Sequence, residues 1–393
     1  MKRHNPDSFL IKATLLLIST LTVMAGAAIA PSLPAMEKHF ADVENAEYLV
    51  KLALTIPALF IALFSFIVGM SINRIGRKRL LLFSTLLFAC AGSAGFILNS
   101  LWAIILSRAL LGMSAAGTMT GVMTIISDYY PGQKRASFMG LQAAAMGLGG
   151  MVFAAVGGIS ADFNWRFPFL IYILAFFVFI LTAIALYEPE EDKHENNKKL
   201  AFVLPKESIG IIYGLGLIYM VAYYLIFVQL PFYLLEISNA SAAQSGIALA
   251  VSTLAGAIAS SQYGAIKKRL DFSIIIIIAF ALTAVGQFIM GFGDSYRVEL
   301  CGLIIAGVGF GLVMPNFSNW LATIVPNHFR GRVLGGLTTF LFLGQFISPI
   351  ISQPIVNVVG FSNTYSLSAI LLLQLAITLL VVKISTAFIA EKI

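Results

Sequence analysis

Along this chain, apolar runs of membrane-crossing length recur between short polar or basic breaks. They occupy residues 13–34, 48–72, 79–98, 101–126, 137–159, 166–187, 208–234, 243–263, 272–292, 298–324, 333–357 and 361–386. A helix needs about 20 apolar residues to cross the hydrocarbon layer of a bilayer. The pattern therefore predicts twelve transmembrane helices joined by short loops. The one sizeable polar interruption, residues 188–199, mixes both signs of charge and reads as a solvated linker. The expected fold is all-α: a six-helix bundle over 1–187, a linker over 188–207 and a second six-helix bundle over 208–393.

The first run invites a different reading. Basic residues precede it, and the small residues of 25–30 look like a signal-peptidase site. Cleavage there would leave an odd number of spans and remove the counterpart of a helix in the second half, so the segment is read as the first membrane helix. The halves themselves repeat. An offset of 195 residues brings Gly69 onto Gly264, Arg74 onto Arg269, Pro131 onto Pro326, Arg135 onto Arg330 and Gly140 onto Gly335. Parallel six-helix repeats of this kind are a transporter design, with the substrate held between them.

Composition agrees. Hydrophobic residues make up 59% of the chain and charged ones 11%, with a mean hydropathy of +0.92, against about a quarter charged in soluble domains. No large soluble domain is left over, and the lipid bilayer is the expected surrounding. The net charge of +7 would suit a nucleic-acid partner, but its distribution excludes one. Of 25 Lys and Arg residues, all but Lys38, Lys51, Arg108, Arg166 and Arg297 fall on the side of the two termini when spans are counted. The positive-inside rule then puts both termini in the cytoplasm. Cys90 and Cys301 lie in apolar runs and are expected to be small buried hydrophobes, with no disulfide or metal role.

The loop after the second run reads Gly69-Met70-Ser71-Ile72-Asn73-Arg74-Ile75-Gly76-Arg77-Lys78-Arg79. It resembles the signature loop of the major facilitator superfamily, G-x-L-A-D-R-x-G-R-K, with Asn73 where the family has Asp. The resemblance implies a cytoplasmic gate built from Gly69, Asn73, Arg74, Gly76, Arg77 and Lys78. Its glycines allow a tight turn, and its cations can meet helix ends or carboxylates. Arg108, with Gly112, Gly117 and Gly121 after it, is similar to the family's membrane-arginine motif. Six residues beyond Trp102, it lies about 9 Å into the membrane at 1.5 Å per residue. A functional role is the default for an arginine there, and snorkelling to the interface is the alternative. Lys51, four residues after Glu47, reads as a paired or snorkelling residue at a helix end. The stretch Gly149-x-x-x-Phe153-Ala154-x-x-Gly157-Gly158 resembles the antiporter signature without its central Gly-Pro.

The resemblance covers nearly the whole chain and looks most similar to the twelve-helix bacterial drug and metabolite efflux branch. It implies that spans one, four, seven and ten line a cavity, which makes Met24, Arg108, Tyr219, Tyr223, Gln229, Asn316 and Trp320 the candidate substrate contacts. Aromatics with a few polar groups suit an amphiphilic organic molecule. The same likeness implies protons as the coupling ion, a monomer, and a bacterial inner membrane. No Asp or Glu falls in mid-span, with Glu37, Glu236 and Glu299 near outer ends and Asp128 at an inner one. There is no P-loop to make ATP the driver, no cofactor is implied, and the four histidines are scattered through loops and tails, which argues against an enzyme. The leading expectation is proton-coupled efflux of a small organic molecule. Uptake by symport and lipid flipping on the same fold are the alternatives.

Overall fold

A computed structural model describes residues 6–130, 132–189 and 205–390; the side chains of residues 73, 133, 136, 327, 328 and 386–390 are not among those described. Pro131 and most of the expected linker thus lie outside the described residues, as does the side chain of Asn73. The first half of the chain contributes α1 (Phe9–Ala27), α2 (Leu33–His39), α3 (Ala46–Ile75), α4 (Arg77–Ser93), α5 (Leu101–Tyr129), α6 (Gly132–Phe163) and α7 (Leu174–Ala185). The second contributes α8 (Lys206–Ser238), α9 (Ala242–Lys267), α10 (Phe272–Phe292), α11 (Tyr296–Ile324) and α12 (Asn327–Ala390).

α1 and α2 form one crossing, Phe9–His39, interrupted by a 3-10 turn at Ala30–Ser32 where Pro31 and Pro34 stand at the starts of new helical segments. Proline suits those positions because the missing N–H has no helical partner there. Eleven segments of the described residues are long and apolar enough to cross a membrane, the last of them the 57-residue stretch Phe329–Ser385. At 1.5 Å per residue that stretch would be about 85 Å long, nearly three bilayer cores. Gly360 breaks it, with φ 79° and ψ 171°, a conformation that glycine adopts without a side-chain penalty. Before the break, Ser348 donates to Val221 O on α8 at 2.9 Å. After it, Ser362 donates to Gly291 O on α10 and Lys383 pairs with Asp271 at the opposite end of that helix. α12 therefore crosses, turns at Gly360 and returns.

The described residues nearest each chain end, together with residues 188–189 and 205, lie at one end of the bundle, called here the linker end; the other is the far end. Leu63, Phe66, Phe83, Leu106, Val156 and Ile180 are exposed, as lipid requires of an outer surface whose backbone groups are all paired within helices. Cys90 and Cys301 are exposed as well, contrary to the expectation of burial. An apolar run fixes that a residue is in the membrane layer, not whether it points to the core or to lipid.

Helix packing across the two halves is tightest between α6 and α9. A methyl on Gly158 would lie 2.5 Å from Ala242 O and 2.9 Å from Gly246 Cα, and one on Gly147 2.7 Å from Ala257 Cβ. Small residues let backbones approach where water cannot drive association. At the linker end the packing loosens. Beside Gly69, Gly140, Gly264 and Gly335, the glycines matched by the sequence repeat, a methyl would meet no atom within 4 Å.

Candidate functional site

Arg108 sits on α5, wholly buried. Its Nε donates to Ala53 O on α3 at 3.3 Å and its Nη2 to Ala25 O on α1. The guanidinium carbon lies 5.1 Å from the Tyr172 ring centroid, and Tyr172 OH reaches Met24 O and Ala25 O, each at 3.1 Å. The side chain is thus drawn into the helix packing rather than toward an interface. An arginine at this depth costs several kcal/mol unless satisfied; two carbonyls and an aromatic face offset part of that. Nη1 has no partner, so one arm of the planar fork is left over. Met24 is buried in the same layer.

From α8 in the second half, Tyr224 reaches this place. Its OH would lie 2.8 Å from a methyl on Gly26, and it is within electrostatic reach of Arg108. From the sequence, Tyr219 and Tyr223 are the expected aromatic contacts of this helix. Those two share one face, stacked with centroids 6.1 Å apart, but that face turns into the second half: Tyr219 OH meets Thr283 Oγ1 at 2.8 Å, and Tyr223 stacks on Phe310 at 4.1 Å. Asn316 and Trp320 lie apart, toward the linker end. Asn316 donates to Phe272 O at 3.0 Å and accepts from Tyr263 OH at 3.1 Å, while Trp320 stacks on Phe272 at 5.7 Å.

Gln229 belongs to a third group, at the far end. Gln353 on α12 is its hub, accepting from Gln229 Nε2 at 3.0 Å and from Lys51 Nζ, and donating to the Glu47 carboxylate. Lys51 and Glu47 come from α3, so the network joins the two halves. Lys51 is 1% exposed, lies 3.7 Å from Glu47 Oε1 and sits 4.2 Å from the Phe232 ring centroid. Its pairing with Glu47 is legible from their spacing; the reach to Gln353, 302 residues on, is not. Beside this latch, a cleft of about 730 Å³ is lined by Glu44, Glu47, Tyr48, Trp102, Gln353 and Asn357 among others.

At the linker end, the basic loop folds around Gly76, which has φ 91°. α4 starts immediately after it, and the Glu188 carboxylate accepts from the Arg77 and Lys78 N–H groups at 2.6 and 2.9 Å. A carboxylate there satisfies orphan donors and complements the helix dipole. Arg77 Nε also donates to Asp128 at 3.2 Å, and Lys78 Nζ to Ala183 O at 2.8 Å. Arg74 and Gly69 are exposed beside this turn. At the same end of the second half, partial burial works to raise the Asp271 carboxyl, but Lys383 and the Ile274 N–H hold it below the usual carboxylate range. Gly76→Val should therefore leave membrane insertion intact yet slow transport several-fold. Its φ costs a β-branched residue about 1–3 kcal/mol, and its Cβ would crowd Glu188 at 3.2 Å. Initial rates at matched expression test this; unchanged turnover would leave the loop as a topology signal only.

Residues 15–214 and again 212–388 match the family described as Major Facilitator Superfamily. The chain belongs to that superfamily. It is accordingly a multi-pass membrane protein and a secondary transporter of small molecules, not an enzyme. Among relatives, the quinolone resistance protein NorA of Staphylococcus aureus is 24% identical over 305 residues, 74% of this chain and 76% of that one. An uncharacterized MFS-type transporter of Methanocaldococcus jannaschii is 23% identical over 318 residues, covering 77% and 81%. The fold matches a D-xylose-proton symporter with a TM-score of 0.78 at 16% identity, over 94% of this chain and 97% of that one. It also matches an inward-facing, unoccupied bacterial homolog of the human lysosomal transporter Spinster, with a TM-score of 0.73 at 16% identity over 100% and 98%.

Proposed function

We propose that this superfamily member is a proton-driven exporter of small amphiphilic organic molecules that works as a monomer by alternating access. The two halves, 1–187 and 208–393, would rock about the α6–α9 contact, with both termini and the linker in the cytoplasm of a bacterial cell. The observation that carries the reading is the far-end latch: Lys51 and Glu47 on one half and Gln353 on the other hold that end shut, while the matched glycines at the linker end face open space. That is the form in which an exporter takes up cargo from the cytoplasm. The 24% identity to a quinolone resistance protein supports export of drug-like molecules.

In this reading Arg108, Met24 and Tyr224 hold the substrate at mid-depth, the spare Nη1 taking an anionic group such as a carboxylate. Tyr219 and Tyr223 form the aromatic wall of the second half, Gln229 serves the latch, and Asn316 and Trp320 steady the linker end of α11. Gly69, Asn73, Arg74, Gly76, Arg77 and Lys78 form the inner gate. Membrane vesicles of defined orientation test the direction. With norfloxacin as probe, inside-out vesicles acidified within should accumulate it, and dissipating the pH gradient should release it. Accumulation only when drug and proton move the same way would make the protein a symporter. Translocation of a fluorescent phospholipid in place of the drug would make it a flippase.

A further inference from the structure

Among the described residues, Glu299 is the single acidic residue that is buried, with 0% exposure, and neither of its oxygens has a hydrogen-bond partner. It lies in the first turn of α11 at the far end, pressed against Gly293 so closely that a methyl there would overlap Oε1. Tyr233 from α8 closes one side, its OH held by Met290 O and Gly293 O at 3.0 and 3.1 Å. Tyr365, on the return arm of α12, closes another, and its OH is also unpartnered. Tyr233 from α8 and Tyr365 lie within electrostatic reach of Glu299, and Tyr233 also lies within reach of Glu236 on α8 and Asp294 in the loop after α10. None of these groups is a cation; Arg297, two residues earlier on α11, makes no hydrogen bond to the carboxylate. An ionised carboxylate with neither donor nor counter-ion is strongly disfavoured in such surroundings, whereas the neutral acid is tolerated.

The position is connected to the latch by one layer of rings. Lys51 Nζ lies 5.9 Å from the Phe361 centroid, Phe361 lies 6.0 Å from Tyr233, and Tyr233 lies 5.5 Å from Tyr365. Phe361 follows the break at Gly360, on the same α12 that carries Gln353. We propose that Glu299 is a proton-binding site that gates the far end: the carboxylate must take up one proton from the far side, becoming the neutral acid, before the latch can close. The site is separate from the substrate site proposed above and does not require that protons drive transport.

The test reads conformation, not transport. Spin labels at Phe163 and Phe292, exposed far-end residues of the two halves, report far-end separation in purified protein in lipid nanodiscs, with Cys90 and Cys301 replaced by serine. Raising the pH should increase the far-end-open population about tenfold, and Glu299→Gln, a neutral isostere, should stay closed throughout. A pH response that persists in Glu299→Gln, or no response in the unsubstituted protein, would overturn the proposal. Infrared difference spectra of protein with Glu299 intact give a second reading, independent of the variant's folding. Loss of a carboxylic-acid C=O band at the same midpoint as the distance change supports the site, and a different midpoint refutes it. Drug transport that proves uncoupled from protons would sink the exporter reading and leave this one standing.

Discussion

Gly158→Val is expected to reduce transport by an order of magnitude or more and to lower the melting temperature, while Gly140→Val on the same helix leaves both nearly unchanged. The two glycines are both on α6 and both in helical backbone. What differs is what lies opposite. A side chain at 158 would run into Ala242 O and Gly246 Cα, which are backbone atoms that cannot rotate away. The helices must part instead, and overpacking of this kind costs about 1–3 kcal/mol. Since α6 belongs to one half and α9 to the other, the separation also disturbs the contact about which the halves are proposed to move. At Gly140 no atom lies within 4 Å, and the intrinsic helix preference slightly favours valine over glycine. Thermal melts and initial transport rates on matched amounts of protein check both halves of the expectation. Equal effects at the two positions would mean that helix approach at 158 is not what limits the protein.

The contrast between these glycines also marks what a sequence can express. Every run of apolar residues in the reading has its counterpart among the helices, and the break between the last two runs falls where Gly360 takes its positive φ. Depth in the membrane is written in composition, because lipid imposes it on every side of a helix alike. Facing is not. Tyr223 and Tyr224 are neighbours in the chain, yet one turns into its own half and the other crosses to Gly26. Glu299 stands at a helix start where a solvated carboxyl would be ordinary; only the packing of Tyr233, Tyr365 and Gly293 around it makes it buried. The role of Glu188 was hidden for a similar reason. It opens the polar linker, and its use as the cap of α4 depends on a contact 110 residues away in sequence. Local patterns repeat along the chain and can be read there, whereas contacts between distant helices leave no periodic trace.

Arg108→Lys is expected to lose most transport, nearly as much as Arg108→Ala, although the charge is kept. Arginine here uses two arms on carbonyls of separate helices, Ala25 O and Ala53 O, lays its plane by Tyr172 and keeps Nη1 unpartnered. A lysine ammonium is a point charge on a flexible stem and cannot span those positions while presenting a further donor. A hydrogen bond to a charged group is worth about 1.5–3 kcal/mol, so removing the one offered to a substrate anion should weaken binding by roughly 10- to 100-fold. Folding and binding can be told apart. The lysine variant retains a cation to meet Ala25 O and should melt close to the parent, but added norfloxacin, which raises the parent's melting temperature by binding the folded state, should no longer do so. In the alanine variant both quantities should fall, since Tyr172 loses its cation and the packing around α1 and α3 is left with a void. If Arg108 merely anchored α5, lysine would serve as well and the norfloxacin shift would survive. A fully active Arg108→Lys protein with that shift intact would therefore remove Arg108 from the substrate site and move the search for the anion-binding group to the remaining polar residues around Tyr224.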